Sequence, residues 1–228
     1  SKMNEKPMSF ASEMVKAILN GTKSQTRRPF VSDVPSYFDG PICENNVAKF
    51  FCNQSNEGIV FTFPFKVGDQ IWVRENFYVE VFCETDTVQI YYSDHSHGPI
   101  IGYYQDAEPG GSEAVDLALE YGPNDLIHSK KMNRNFSRLT LEITNVRVER
   151  VLEISYEDVN SEGFYSVLSE LNYESLKTKC DINGASVEFT AKTTGPKLDF
   201  IAFWCSIYGI ESIERNEWVW VYDFKVVK

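Results

Sequence analysis

Gly21-Thr22-Lys23-Ser24-Gln25-Thr26-Arg27-Arg28 decides how the rest of the chain is read. It works together with Lys66-Val67-Gly68-Asp69-Gln70-Ile71-Trp72-Val73-Arg74-Glu75, about forty residues further on. Ahead of the first stretch, Met14, Val15, Ile18 and Leu19 give an apolar stripe that predicts a helix over 12–20. Gly21 is a natural residue to follow its C-terminus, and Pro29 prevents any continuation. From Lys23 to Arg28 the chain then offers a lysine, two hydroxyls and two arginines. Such a cluster supplies donors for phosphate, carboxylate or a polar base edge. A lysine that loses part of its charge by burial is also a candidate nucleophile.

Outward from this cluster the chain reads mostly as strands. Residues 31–62, with prolines at 35 and 41, are expected to hold little regular structure. Gln70 to Val81 reads as one central strand, apolar on both faces. The Gly-, Pro- and acid-rich stretch from Gly98 to Asn124 reads as a loop. Arg138 to Val151 is a strand whose alternation slips near Asn145, which predicts a bulge or bend. Ser155 to Glu162 is a short helix with Ser155 as N-cap, acids in its first turn and Gly163 as its stop. Leu198 to Tyr208 is an apolar helix. Trp218 to Val226 is a strand, with Trp218, Trp220, Tyr222 and Phe224 on one face and Val219 and Val221 on the other. The pattern predicts an α+β fold around a small, curved, barrel-like sheet with short flanking helices.

At 228 residues and 43% hydrophobic composition the chain can bury a sizeable core. No apolar run approaches the roughly 18 residues of a membrane span, and the start carries no basic-then-apolar segment. Five cysteines without C-x-x-C spacing fit reduced thiols and a cytoplasmic location; pairing or metal binding by Cys43 and Cys52 is the alternative. His95 and His97 have no ligand at convincing zinc spacing, so neither a metal nor another cofactor is expected. The net charge of −11 opposes loose electrostatic binding to nucleic acid. A small basic pocket for one nucleotide remains compatible with it. Lys130, Lys131, Arg134 and Arg138 form a second local basic cluster, which a solvated surface would equally explain.

Gly21, Lys23, Thr26 and Arg28 in a G-x-K-x-x-T-x-R pattern, followed by the Gly68-Asp69 strand, resemble the ASCH domain family of the PUA-like superfamily. Four further segments carry a closer resemblance to prophage-encoded ASCH proteins: 68–75, 141–150, 154–163 and 216–222, in the family order. The resemblance implies one PUA-like pseudo-barrel domain over 3–228, decorated by insertions near 31–62, 94–136 and 173–196. It also implies binding of RNA or of a nucleotide or modified nucleoside. In ASCH-like acetylcytidine amidohydrolases a lysine, a threonine and a glutamate do the work; the matching residues are Lys23, Thr26 and Glu162. Amide hydrolysis would use Lys23 or Thr26 as nucleophile or activator and Glu162 as general acid/base, with Arg27 or Arg28 on the oxyanion.

Other roles stay open. Lys23 could be a C-terminal helix cation, Thr26 a turn hydroxyl and Glu162 a solvated helix residue. Arg74 and Glu75 could line the pocket, Arg74 on a phosphate and Glu75 on a base amino group, or form a salt-bridged rim pair. Arg134, in Met132-Asn133-Arg134, is a candidate second phosphate contact. A ribonuclease is a variant of the enzyme reading. A phage protein that engages a host or phage partner through acidic insertions is a reading of a different class.

Overall fold

The computed structural model describes residues 5–30, 34, 38–52, 55, 57–82, 84–85, 87–103, 113–122, 125–164, 181–182, 185–186 and 195–227. In chain order the elements are β1 (Glu5–Ser9), α1 (Ser12–Leu19), β2 (Gln25–Pro29), β3 (Asp39–Glu44), β4 (Val47–Phe51), β5 (Gly58–Thr62), β6 (Gln70–Arg74), β7 (Phe77–Phe82), β8 (Thr87–Tyr92) and β9 (His97–Tyr103). They continue with α2 (Glu113–Glu120), β10 (Thr140–Arg150), α3 (Tyr156–Ser161), β11 (Asp181–Ile182), β12 (Ala185–Ser186), α4 (Pro196–Tyr208), α5 (Ile210–Glu214) and β13 (Trp218–Val226). The fold is mixed α+β, mostly strands, with few and short helices. No closed barrel forms among the described residues. No helix there is long and apolar enough to cross a membrane.

The chain divides into two compact units. The first draws on Ser1–Leu19, Gly68–Glu142 and Lys225–Lys228; the second on Asn20–Val67 and Ile143–Phe224. In the first, β6 pairs in parallel with β1 and antiparallel with the start of β10. A separate antiparallel sheet, β7-β8-β9, buries Phe77, Val79, Val88, Ile90 and Tyr92 with Leu117 of α2 and with Ile127, Met132 and Phe136. In the second unit β13 pairs with β2, placing Tyr222 opposite Thr26 and Trp220 opposite Arg28. Its three-stranded sheet, β3-β4-β5, brings Phe50 and Phe61 edge-on to Phe30, which stacks on Trp220 at 4.1 Å between centroids.

Three sequence expectations change. Residues 31–62 carry an antiparallel sheet, because Asn45 and Asn46 take positive φ (51° and 61°) in a two-residue turn that joins β3 to β4. Asparagine accepts this left-handed conformation, and the twist of such a turn matches that of a hairpin. The strand expected over 70–81 is two strands in different sheets, broken at Glu75–Asn76, where buried Glu75 turns to half-buried Arg138. The stretch 98–124 holds most of β9 and all of α2; residues 104–112 and 123–124 lie outside the described residues. The excursion expected over 173–196 also lies largely outside them.

The helices follow their sequence signals. Gly21 has φ 73° just beyond α1. Ser155 caps α3 by accepting a hydrogen bond from the Asp158 amide at 3.1 Å. In β10 the phase slip falls at Thr144 and Asn145, both exposed between buried Ile143 and half-buried Val146. In β13 both faces are buried from Val219 to Tyr222, the aromatic rings on one and the valines on the other.

Candidate functional site

The second unit places Lys23 against Glu162. The two residues form an isolated antiparallel bridge, reinforced by the Ser24 amide donating to the Ser161 carbonyl at 2.8 Å. Glu162 is fixed by the way α3 ends. The Gly163 amide donates to the Asn160 carbonyl and the Phe164 amide to the Val159 carbonyl, with Gly163 at φ 91°. This is the left-handed termination that glycine permits, and buried Phe164 and Val159 complete it. Glu162 is therefore held at the C-cap of a short, well-terminated helix.

Lys23 Nζ donates to Glu162 Oε2 at 2.6 Å and to the Glu162 carbonyl at 2.9 Å. Arg27 Nη1 donates to the other carboxylate oxygen at 3.1 Å. All three residues are buried, at 3%, 4% and 1% exposure. Burial holds the Lys23 ammonium below the ordinary lysine range, and nearby Arg28 and Arg27 push the same way against the attraction of Glu162. A lysine in this state exchanges a proton more readily than a solvated one.

Around the pair lies a network of ion pairs. Arg27 Nη2 donates to Glu149 at 2.9 Å and to Asp158 at 3.1 Å, and Arg27 Nη1 also donates to Gln25. Arg147 reaches Glu149, Asp158 and Asp223. Gln25 donates to Asp158 at 2.9 Å and to Asp223 at 2.6 Å. Burial would raise the Asp158 carboxyl, but the bond from Gln25 and the charges of Arg27 and Arg147 hold it below the usual range.

Thr26 takes a different partner. Gln25 and Arg27 both reach Asp158 and share one side of β2. Thr26 and Arg28 share the other, where Arg28 Nη1 donates to Thr26 Oγ1 at 2.9 Å. A spacing of three brings two side chains together on a turn or helix; in an extended strand it sends them to opposite sides. The segment becomes strand from Gln25 onward.

Arg74, Glu75 and Arg134 belong to the first unit. Glu75 does not pair with Arg74. It receives a two-pronged bond from Arg138, Nε to Oε1 and Nη2 to Oε2, both at 2.8 Å. Arg138 also bonds Asp94 at 3.0 Å and Ser96 at 2.6 Å and lies 4.0 Å over the Tyr92 ring. Burial raises the Glu75 carboxyl above the usual glutamate range against the pull of Arg138. Arg134 donates to Glu5 at 2.7 Å and to Thr140 at 2.9 Å. Lys131 pairs with Glu120 at 2.6 Å. His95 stacks on Tyr78 and His97 packs against Tyr91; no group of three potential metal ligands occurs among the described residues. Cys43 is exposed, and Cys52 and Cys205 are buried.

Gln25, Glu149, Asp158, Arg147 and Asp223 had not been singled out from sequence. The i, i+2 pair Arg147/Glu149 on a strand was the available signal, since it puts both side chains on one face. The chain matches no protein-family model, and no curated protein or solved structure is significantly similar to it.

Proposed function

We propose that the chain is an ASCH-type, PUA-like protein with a barrel-like core that binds a nucleotide or modified nucleoside, free or within RNA, at the Lys23–Glu162 site. The observation that carries this reading is the 2.6 Å contact between Lys23 and Glu162 inside a buried setting. A donor and an acceptor held side by side away from water complement the carbonyl and amino groups of a base edge. Half-buried Arg28 supplies a further cation beside them. Calorimetric titration with nucleosides, nucleotides, acetylcytidine and short RNAs at low salt tests the reading. Saturable binding that Glu162→Gln and Lys23→Met weaken is the expected result. Absence of saturable binding at millimolar ligand overturns it.

A second reading, hydrolysis of an acylated nucleoside, is favoured by the lowered pKa of Lys23 beside a carboxylate. Water would add across the exocyclic amide to release the amine and a carboxylic acid, with Lys23 and Glu162 moving the proton. Thr26 Oγ1 accepts from Arg28, one of the two arginines that act on Lys23, and is the third residue of this reading. Incubation with acetylcytidine, followed by chromatography, decides it: product must appear with wild type and vanish with Lys23→Met.

A further inference from the structure

Arg74 is held differently from Arg27, Arg138 and Arg147, and also from Arg150, which stacks on Trp218 without an ion pair among the described residues but donates to the Asn216 carbonyl at 3.0 Å. The chain carries 33 acidic side chains against 22 basic ones, so carboxylates are in surplus. Arg27 and Arg147 each meet three of them and Arg138 meets two. Even the more exposed Arg134 and Arg215 have one each. The Arg74 guanidinium has none among the described residues. Among the described residues its guanidinium packs on the indole of Trp72, 4.7 Å from the ring centroid, and its Nε is buried without a hydrogen-bond partner. Arginine cannot shed its charge, so burial does not neutralise it as it can a lysine.

The surroundings explain why no carboxylate reaches it. Gln70, Trp72 and Arg74 share one side of β6. The strand register puts Glu5, Pro7 and Ser9 of β1, and Thr140 and Glu142 of β10, on that same side. Of the acids there, Glu5 is engaged by Arg134 at 2.7 Å and Glu142 by Lys225 at 2.9 Å. What stands opposite Arg74 is Ser9, whose hydroxyl lies 3.1 Å from that of Ser129. Two hydroxyls stand here, while the acids on this side are engaged by other cations.

We propose that Arg74 is held to bind a phosphate group. Stacking on Trp72 fixes the guanidinium plane and leaves its edge to present a fork of N–H donors. A group with three terminal oxygens can accept from that fork and from the neighbouring hydroxyls at once; a carboxylate has two oxygens. This site lies in the first unit and Lys23–Glu162 in the second, so neither proposal depends on the other.

The test is titration of the full chain with inorganic phosphate and, separately, with a nucleoside 5′-monophosphate, by calorimetry and thermal melting. Sodium acetate at matched ionic strength is the control. Saturable binding of at least one phosphate-bearing probe, with a rise in Tm that acetate does not reproduce, is expected. Response to inorganic phosphate identifies a site for the free anion; response to the monophosphate alone identifies a phosphorylated ligand. Arg74→Gln should weaken binding by about tenfold or more, and Arg74→Lys, which keeps the charge and loses the fork, by less. Arg215→Gln should bind as wild type. The proposal is overturned if wild type shows no saturable response to either probe, if Arg74→Gln binds equally well, or if Arg215→Gln loses binding to the same extent. Far-UV circular dichroism of each variant separates lost binding from lost folding, and the wild-type titration stands without them.

Discussion

Glu162 in the second unit and Glu75 in the first are both buried carboxylates gripped by cations, but the cations differ in kind. Glu162 meets a lysine at 2.6 Å and one prong of an arginine at 3.1 Å. Glu75 meets a single arginine through two parallel bonds at 2.8 Å. The lysine can give up its proton, and burial already pulls its pKa down. The guanidinium of Arg138 cannot, and its neighbours raise its pKa further against burial. The first arrangement can exchange a proton with a ligand. The second is a lock that ties the Asp94–Ser96 turn to the approach to β10. Burial and charge alone therefore do not distinguish the two carboxylates; the identity of the cation does.

The largest effects should come from structural elements. Trp220 is 5% exposed, stacked on Phe30 and edge-on to Phe63. Trp220→Ala should cost roughly 3–5 kcal/mol in chemical denaturation. A folded variant of unchanged stability that had lost ligand binding would instead make this aromatic face part of the site.

Removing the cation from each pair sharpens the contrast. Arg138→Met strips Glu75 of both bonds while leaving it buried, and should cost about 3–5 kcal/mol. Lys23→Met leaves Glu162 with Arg27, and a cost of about 1–3 kcal/mol is expected. Equal losses, measured by urea unfolding, would erase the distinction between lock and reactive pair.

The lock also has a signature in acid. Burial would raise the Asp94 carboxyl, but bonds from Ser96 and Arg138 outweigh it and bring it from 3.8 to about 2. A lowered carboxyl pKa contributes stability that is present above pH 3.8 and lost as pH falls toward 2. Glu75 has the opposite sign: its raised pKa gives a contribution present below 4.5 and lost as pH rises through the raised value. Asp94→Asn should thus flatten the acid limb of the stability profile between pH 4 and 2, and an unchanged limb would place that loss elsewhere.

The smallest expected effect concerns how Glu162 is presented. Ser155→Ala removes the side-chain cap of α3 and should cost about 1 kcal/mol. If the helix matters to the site only through position, ligand affinity should fall less in this variant than in Glu162→Gln. Equal affinities in the two variants would make the cap, not the carboxylate, the controlling feature.

Legibility from sequence tracked how local each signal was. The Ser155 cap, the glycines after α1 and α3, and the alternation of β13 are read within a few residues, and all occur as the pattern implies. The sheet over 39–62 was missed because Asn45-Asn46 announces a hairpin only through backbone conformation, with no glycine to mark it. The break between β6 and β7 was missed because apolar residues continue across it.

By itself the sequence determined the α+β character and the dominance of strands, both of which rest on short-range periodicity. Lys23 and Glu162 were brought together there only by what the family resemblance implies, with no local signal to pair them. Tertiary structure alone decided the partners: Arg27 to Glu162, Arg138 to Glu75, and no acid among the described residues for Arg74. It also decided that Thr26 shares its side of β2 with Arg28 and not with Gln25 and Arg27. Lys23 and Glu162 are 139 residues apart, and Arg138 and Glu75 are 63 apart. Strand pairing and helix termination fix which charges meet across such separations, and a buried charge takes the partner that the fold brings within hydrogen-bond reach.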